Sequence, residues 1–364
     1  MFLHCDSFKY LNTGIYSPES AFLWALKWDL SVTGSGNQSA STSQGRDGGG
    51  CIPRNSAGMW NTARKTLPSV QGLTSALFAS WSALFVADTA TSFDGILLMV
   101  AEPFSSNSSN LTGKTGVMVS YQASTKTFRL ERIANGTRTV LATGPASAVV
   151  DGQWYRLEVK LDIAANSMIL RLNGADHIVS TVSLAAVTGI NQVAFGNRHN
   201  RVDDALIYNS VPGDNFHDFL GDVLIDWAKP NAAGTFTEFT RSSGTAANYT
   251  YVAEIDTGFS SYVSASQAGK KETYGVVDLT AAPTTIHGVV TTTLVRAVNG
   301  TTSPSVSQVA RVGAEETVSP PRFVVMTALP ASLQTAFSEK PGGGAWSLAD
   351  FNAAEFGFTV ATNA

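Results

Sequence analysis

The chain has 364 residues, of which only 14% are charged, and its formal net charge is −4. A chain of this length exceeds what one hydrophobic core usually serves, so two domains are expected. The mild acidity excludes a strong electrostatic attraction to nucleic acid, and no apolar run reaches the roughly 20 residues of a membrane span, so neither a nucleic-acid partner nor a membrane span is expected.

The first 150 residues predict one short helix followed by strands. The apolar segment after Ser17-Pro18 is expected to be helical, because proline favours the first helical position, with a buried strand as the alternative. Asn135-Gly136 is a hairpin signal between two of the strands. Short strands at eight-to-twelve-residue spacing indicate a β-sandwich or jelly roll. We expect these strands near residues 76–86, 94–102, 116–122, 127–133 and 137–143.

The clearest strand pattern runs from Asp151 to Gly174. Apolar and charged residues alternate with a period of two, and Asn173-Gly174 then provides a second hairpin signal. This pattern predicts an antiparallel meander with one dry and one wet face. The wet face carries Arg156, Glu158, Lys160 and Asp162.

A change of composition at Lys229-Pro230-Asn231 indicates a boundary between residues 1–228 and 229–364. Near the end, Ser347 and Asp350 have the spacing of a capping box, which predicts one or two helical turns. We therefore predict an all-β chain, with an N-terminal β-sandwich or jelly roll followed by a smaller β-sandwich-like domain containing a short helix. The second domain's strands are expected at residues 236–241, 249–255, 272–278, 286–297, 305–312, 322–327 and 356–360.

The order of several short motifs resembles bacteriophage and prophage virion proteins that carry a concanavalin A-like, laminin-G-type module. The resemblance covers nearly the whole chain. Its main motifs are Asp6-Ser7-Phe8, Asp151-Gly152-Gln153-Trp154, Asp203-Asp204-Ala205-Leu206-Ile207-Tyr208, Phe219-Leu220-Gly221-Asp222-Val223, Lys271-Glu272-Thr273-Tyr274 and Trp346-Ser347-Leu348-Ala349-Asp350.

This resemblance implies a non-enzymatic virion structural protein, such as a tail, fibre or decoration component, with no cofactor and no catalytic residues. Other virion proteins would be its partners, and a homo-oligomer is expected because particles are built from repeated symmetric contacts. The N-terminus meets Asp6 before an apolar segment forms, so no secretory signal is predicted. We expect assembly in the host cytoplasm and a final location in the virion.

Two other functions remain open. A host-surface glycan adhesin would use rim loops, with Asn107, Asn110, Asn197, His199 and Asn200 as the candidate contacts. A glucanase would need alternating carboxylates on one strand, and Glu254-Ile255-Asp256 begins that pattern without supplying the second glutamate.

Two smaller questions concern metal and redox chemistry. Asp203 and Asp204 are the only calcium candidates, because they follow a polar loop and carry the oxygen ligands that a hard cation prefers; the alternative is a strand start capped by aspartates. Cys5 and Cys51 show no CxxC spacing, so two reduced thiols are expected, with a bridge between them as the alternative.

Overall fold

The structure, a computed structural model, describes residues 2–6, 46, 51–52, 63–71, 74–104, 110–181, 183–196, 198–210, 215–253, 261–279, 283–297, 304–324 and 331–362. The chain divides into two compact units, Met1–Ile225 and Asp226–Ala364. The helix expected after Ser17 lies outside the described residues. The assignment of residues 1–228 and 229–364 to the domains of a virion protein stays a prediction.

Unit 1 is a jelly-roll β-sandwich made of two six-stranded antiparallel sheets, as the strand spacing predicted. The first sheet has the order β1-β12-β3-β8-β9-β10 and the second has the order β2-β11-β4-β5-β6-β7. The strands are β1 Phe2–Asp6, β2 Ala63–Gln71, β3 Leu77–Phe85, β4 Asp94–Val100, β5 Gly116–Gln122, β6 Thr127–Ala134, β7 Thr137–Thr143, β8 Trp154–Asp162, β9 Ser167–Leu172, β10 Ala175–Ser180, β11 Ile190–Phe195 and β12 Asn200–Asn209.

Aromatic side chains fill the space between the two sheets. Trp81 of β3 meets Phe195 of β11 with ring centroids 5.5 Å apart. Phe85, also on β3, lies 4.6 Å from the ring of Tyr121 and 5.6 Å from that of Phe128, both on the second sheet. These rings are almost fully buried. Each such side chain contributes about 1.5–3 kcal/mol by leaving water, so this layer is a main source of the sandwich's stability.

Both hairpin signals are confirmed. Asn135 and Gly136 connect β6 to β7 with φ values of 47° and 84°, and Asn173 and Gly174 connect β9 to β10 with φ values of 50° and 80°. A two-residue turn with positive φ at both positions matches the twist of the flanking strands. Asparagine and glycine adopt that conformation at the lowest cost, so these two dipeptides fix the register of their hairpins.

Unit 2 is a smaller β-sandwich-like unit. A third sheet has the order β13-β16-β22-β18-β19, with β20 also paired to β18, and two short ladders pair β14 with β15 and β17 with β21. The elements are β13 Pro230–Thr237, β14 Thr240–Arg241, β15 Val263–Ser264, β16 Lys271–Val276, β17 Val289–Val295, β18 Ser305–Val312, β19 Glu315–Val318, β20 Arg322–Phe323, β21 Ala331–Phe337, helix α1 Leu348–Asn352 and β22 Ala354–Thr362, with a 3₁₀ turn at Asn248–Tyr251.

One face of the third sheet carries the core of unit 2. Phe356 packs with Trp346 and with Phe351 of α1. The indole N–H of Trp346 donates to Phe337 O at 2.9 Å, which ties this core to β21. The predicted capping box is present, because the Ser347 hydroxyl accepts the Asp350 N–H at 3.1 Å and the Asp350 side chain accepts the Ser347 N–H. The short helix is therefore confirmed.

Gln308 of β18 connects the third sheet to the β17–β21 ladder. Its amide Nε2 donates to Thr293 Oγ1 at 2.9 Å and lies 3.2 Å from Leu333 O and 3.3 Å from Thr291 O. The side chain is almost fully buried. A buried donor surrounded by three acceptors specifies how the ladder lies against the sheet.

Strand prediction was less successful in unit 2 than in unit 1. The strand expected at residues 249–255 is wrong where the structure describes it, because Asn248–Tyr251 forms a 3₁₀ turn. The Asn248 amide donates to Phe239 O and to Glu272 Oε1, both at 2.9 Å. These bonds hold the segment against the edge of the third sheet and replace ladder pairing. The sequence prediction also omitted β15, β19 and β21.

The position of Gln308 yields a stability prediction. Gln308→Glu places a carboxylate, which cannot donate, against three acceptors, and we expect unit 2 to lose about 3–5 kcal/mol of unfolding free energy, as when a buried charge lacks its partner. Gln334→Glu is the matched control, because Gln334 is only half-buried and its bond to Thr292 Oγ1 on the neighbouring strand is long, at 3.3 Å. Urea denaturation of both variants measures the difference. Equal stabilities would refute the role given to Gln308.

Candidate functional site

The predicted rim-loop contacts do not form one described surface. Asn107 and Asn197 lie outside the described residues. Asn110 is exposed, and its side-chain oxygen accepts Thr112 N at 2.9 Å. His199 and Asn200 are fully buried, which corrects the expectation that they face solvent. The reason is that the chain enters the sheet at Asn200, so the end of the polar loop is already interior.

His199 is held between two aspartates. Its Nδ1 lies 3.0 Å from Asp88 Oδ2, and its Nε2 lies 2.8 Å from Asp94 Oδ2. Each ring nitrogen therefore faces one carboxylate, and a carboxylate only accepts hydrogen bonds. The Arg198 guanidinium also lies 2.9 Å from Asp94 Oδ1. This cluster fastens the loop before β4 to the start of β12, which is a structural role.

The calcium candidates are surrounded by protein donors. Asp203 accepts Arg46 N at 2.9 Å and Asp204 N at 2.8 Å. Asp204 accepts Ile225 N at 2.9 Å and the Ser82 hydroxyl at 3.0 Å. Burial raises the pKa of Asp204 above its usual value, while the nearby Arg156 guanidinium opposes that shift.

Calcium would need free oxygen ligands, whereas these two carboxylates already accept from N–H and O–H groups. Among the described residues, no group of three or more histidine, cysteine, aspartate or glutamate side chains is arranged to hold a metal ion. The alternative of a strand start capped by aspartates is also wrong, because β12 begins at Asn200 and both aspartates lie inside it. Asp204 has a φ of 47° where β12 shifts register against β3.

The wet face predicted for β8 is wrong at two of its four residues. Arg156 and Glu158 are almost fully buried, while Lys160 and Asp162 are only half-buried. Residues 215–225, which we call the strap, cover this part of the first sheet: Leu220 N and Gly221 N each donate to Glu158 Oε1 at 2.9 Å. Strand alternation predicted the side-chain direction correctly, but it carries no information about a distant segment lying over the strand.

The outer face of the second sheet instead keeps a partly open polar group. Arg138 of β7 makes two 2.7 Å bonds to the buried carboxylate of Glu131 on β6, and the Ser120 hydroxyl of β5 also donates to it. The guanidinium carbon of Arg129 lies 3.4 Å from the ring centroid of Phe93. We call these five residues the β5–β7 face.

Sequence reasoning did not identify the β5–β7 face as a candidate site. The available signal was the pair of alternating charges on β6, Arg129 and Glu131, opposite Arg138 on β7. The chemistry is suited to a polar ligand, since a guanidinium and a carboxylate can bind hydroxyl groups and an aromatic ring can stack. The Arg129 Nε is buried and has no hydrogen-bond partner in the structure. The side chain of Arg138 is 34% exposed, so the group is reachable from solvent.

Comparison with known proteins returned likenesses of fold. No family model matches the chain, and no curated protein matches it. Among solved structures, carbohydrate-binding module CBM66 from Bacillus subtilis is similar at 12% identity and a TM-score of 0.29, over 48% of this chain and 88% of that one. Galectin LEC-6 from Caenorhabditis elegans is similar at 12% identity and a TM-score of 0.29, over 40% of this chain and 95% of that one.

A third likeness is to the CBM40 module of a Ruminococcus gnavus sialidase bound to sialyllactose, at 14% identity and a TM-score of 0.27, over 37% of this chain and 76% of that one. Identities and TM-scores this low carry no argument about this chain. None of the helices in the described residues is long and apolar enough to cross a membrane.

Cys51 is a free, buried thiol, so the expected reduced state is confirmed for this residue. Burial, with a smaller effect from Asp203, raises the pKa of the Cys51 thiol to about 12. A thiol that is not ionised near neutral pH is a poor nucleophile, so Cys51 is suited to packing rather than to chemistry.

Removing His199 tests the aspartate cluster. His199→Ala leaves two carboxylates without their shared donor, and we expect a loss of about 3–5 kcal/mol of unfolding free energy, the range for removing one partner of a buried ion pair. His217→Ala is the control, because His217 is exposed. Chemical denaturation followed by tryptophan fluorescence measures both. A His199→Ala variant as stable as the control would contradict a structural role for His199.

Proposed function

We propose that this chain is a non-enzymatic structural subunit of a bacteriophage particle and that it acts through contacts with other subunits, including further copies of itself. The resemblance of its motif order to virion proteins supports this proposal. In the structure, the observation that carries it is the apolar open edge of the third sheet in unit 2.

Two short strands, β19 and β20, share that edge. Phe323 on β20 is 75% exposed and Val318 on β19 is 45% exposed. Both strands pair with β18, and β19 ends the order of the sheet. An edge strand presents unpaired main-chain groups that can bind another chain, and large exposed apolar side chains beside it mark an interaction surface. We call Val318, Phe323 and their strands the β19–β20 edge.

Charged side chains accompany the apolar ones at the β19–β20 edge and would favour a specific partner. Glu316 of β19 forms an ion pair with Lys271 of β16 at 2.6 Å. Glu315, the first residue of β19, is exposed. Charges beside an apolar edge set register and partner choice more than affinity. In a virion this arrangement would bind unit 2 to a neighbouring subunit during assembly in the host cytoplasm.

Self-association tests the proposal. We expect purified protein to form oligomers that Phe323→Asp weakens at least tenfold, because burying a phenylalanine contributes about 1.5–3 kcal/mol. Val150→Asp is the matched control, since Val150 is 59% exposed in a loop of unit 1. Sedimentation velocity over a range of concentrations measures the association. A wild-type chain that stays monomeric at the highest concentration, or equal effects of both variants, would overturn the proposal.

A second candidate function is glycan binding, and the β5–β7 face is the observation that favours it. Glu131 and Arg138 are fixed against each other, while Arg129 keeps an unpartnered Nε beside the ring of Phe93. A preorganised set of this kind can bind sugar hydroxyls without a large entropic cost. In this function the chain would recognise a host-surface glycan. The glucanase alternative rests on Glu254 and Asp256, which lie outside the described residues.

Glycan binding has its own test. We expect a glycan array to reveal a ligand whose affinity Arg129→Met lowers at least tenfold, because methionine keeps the packing over Phe93 but removes the hydrogen-bond donors. Arg132→Met is the control; the Arg132 guanidinium donates to Ser183 O. Binding that is lost in Asn110→Ala and retained in Arg129→Met would place the glycan site in the rim loops and exclude the β5–β7 face. A chain that binds no glycan would exclude this second function.

A further inference from the structure

The strap, residues 215–225, has two halves of different chemistry. In the aromatic half, residues 216–219, the Phe216 ring lies 6.1 Å from that of Tyr208, and the Phe219 ring meets Phe78 edge-on at 5.3 Å. The guanidinium of Arg171 lies 3.8 Å from the Phe219 ring centroid. These apolar and cation–π contacts anchor the beginning of the strap on the outer face of the first sheet.

The polar half, residues 220–225, is held by hydrogen bonds. Besides the two bonds to Glu158, Ile225 N donates to Asp204 Oδ1, and Arg46 donates to Val223 O at 3.2 Å. Arg46 also pairs with the exposed Asp222 at 2.6 Å. Leu224 is exposed, so its side chain is not an apolar anchor for this half.

The surface under the polar half is charged and incompletely satisfied. Glu158 Oε2 and Arg156 Nε are buried and have no hydrogen-bond partner. Burial raises the pKa of Glu158, which shows in another way that its carboxylate is poorly solvated. When the polar half leaves, water can reach these atoms and satisfy them. Opening therefore exposes little apolar surface and offsets part of the lost bonding by hydration.

The strap is the last segment of unit 1 before unit 2 begins. Ile225 is the last residue of unit 1, and unit 2 begins at Asp226. We propose that the polar half is a releasable tether: it detaches from Glu158 and Asp204 while the aromatic half stays bound. Six residues span at most about 20 Å when extended, at roughly 3.3–3.6 Å per residue, so after release unit 2 can move within about that distance of the aromatic half.

The biological use of the tether rests on the proposed structural role. A subunit that must contact neighbours at variable distance needs an extendable connection between its two units. The opening itself is a property of the isolated chain. Failure of the tether would leave the β19–β20 edge proposal standing, and a monomeric chain would leave the tether standing.

Native-state hydrogen exchange tests the tether. We expect the amides of Leu220, Gly221 and Ile225 to exchange at least a hundredfold faster than that of Val159 in β8, with almost no dependence on low denaturant, because local opening exposes little surface. Arg46→Ala should speed the strap amides about tenfold and leave Val159 unchanged. Asp222→Ala, which removes only the ion pair between Arg46 and the strap, should act in the same direction with a smaller effect.

Lys126→Ala is the control, because it removes a half-exposed pair with Asp151 elsewhere in unit 1. It should change neither set of amides. Strap amides that exchange at the rate of Val159 and with its denaturant dependence would overturn the proposal. So would an Arg46→Ala or Asp222→Ala variant that speeds both sets of amides in parallel, since that result means that the strap opens only with the whole unit.

Discussion

The buried guanidinium of Arg156 organises the outer face of the first sheet. From β8 it donates to Ser80 Oγ on β3 at 2.6 Å and to Asp204 O on β12 at 2.9 Å, so one side chain connects three neighbouring strands. A charge buried this deeply is stable only when it is paired and hydrogen-bonded. The register shift of β12, the positive φ of Asp204 and the hydrogen bond that its carboxylate accepts from Ile225 N all lie around this group.

The two sheets of unit 1 therefore present different outer surfaces. On the first sheet Arg156 and Glu158 are covered by the strap and serve the fold. On the second sheet Arg129 and Arg138 keep contact with solvent while Glu131 is fixed below them, and an arrangement of this kind can exchange its internal hydrogen bonds for bonds to a ligand. Unit 2 differs from both, because its open feature is apolar and lies at a sheet edge. Unit 1 thus carries the partly open polar surface, and unit 2 carries the apolar sheet edge.

The sequence predicted the fold more fully than the site. Alternation and the Asn-Gly dipeptides located β5, β6, β7 and both hairpins within a residue or two, since turn conformation and side-chain direction are local properties. Burial of Arg156 could not be predicted, because the segment that covers it follows more than 50 residues later in the chain. The same holds for His199, whose partners are Asp88 in the loop before β4 and Asp94 at the first position of β4. The strand assigned at residues 249–255 failed because side-chain bonds from Asn248 outweighed a β-rich composition.

The pairing of β1 with β12 places the first strand of the chain beside the last strand of unit 1. During synthesis, Phe2–Asp6 leaves the ribosome about 200 residues before its partner, which at roughly 5–20 residues per second is a wait of about 10–40 s. The β4–β7 meander can form in that interval, since each strand pairs with the next. The closing step must come last, so nascent unit 1 exposes an unpaired strand that chaperones would have to shield until translation passes Asn209.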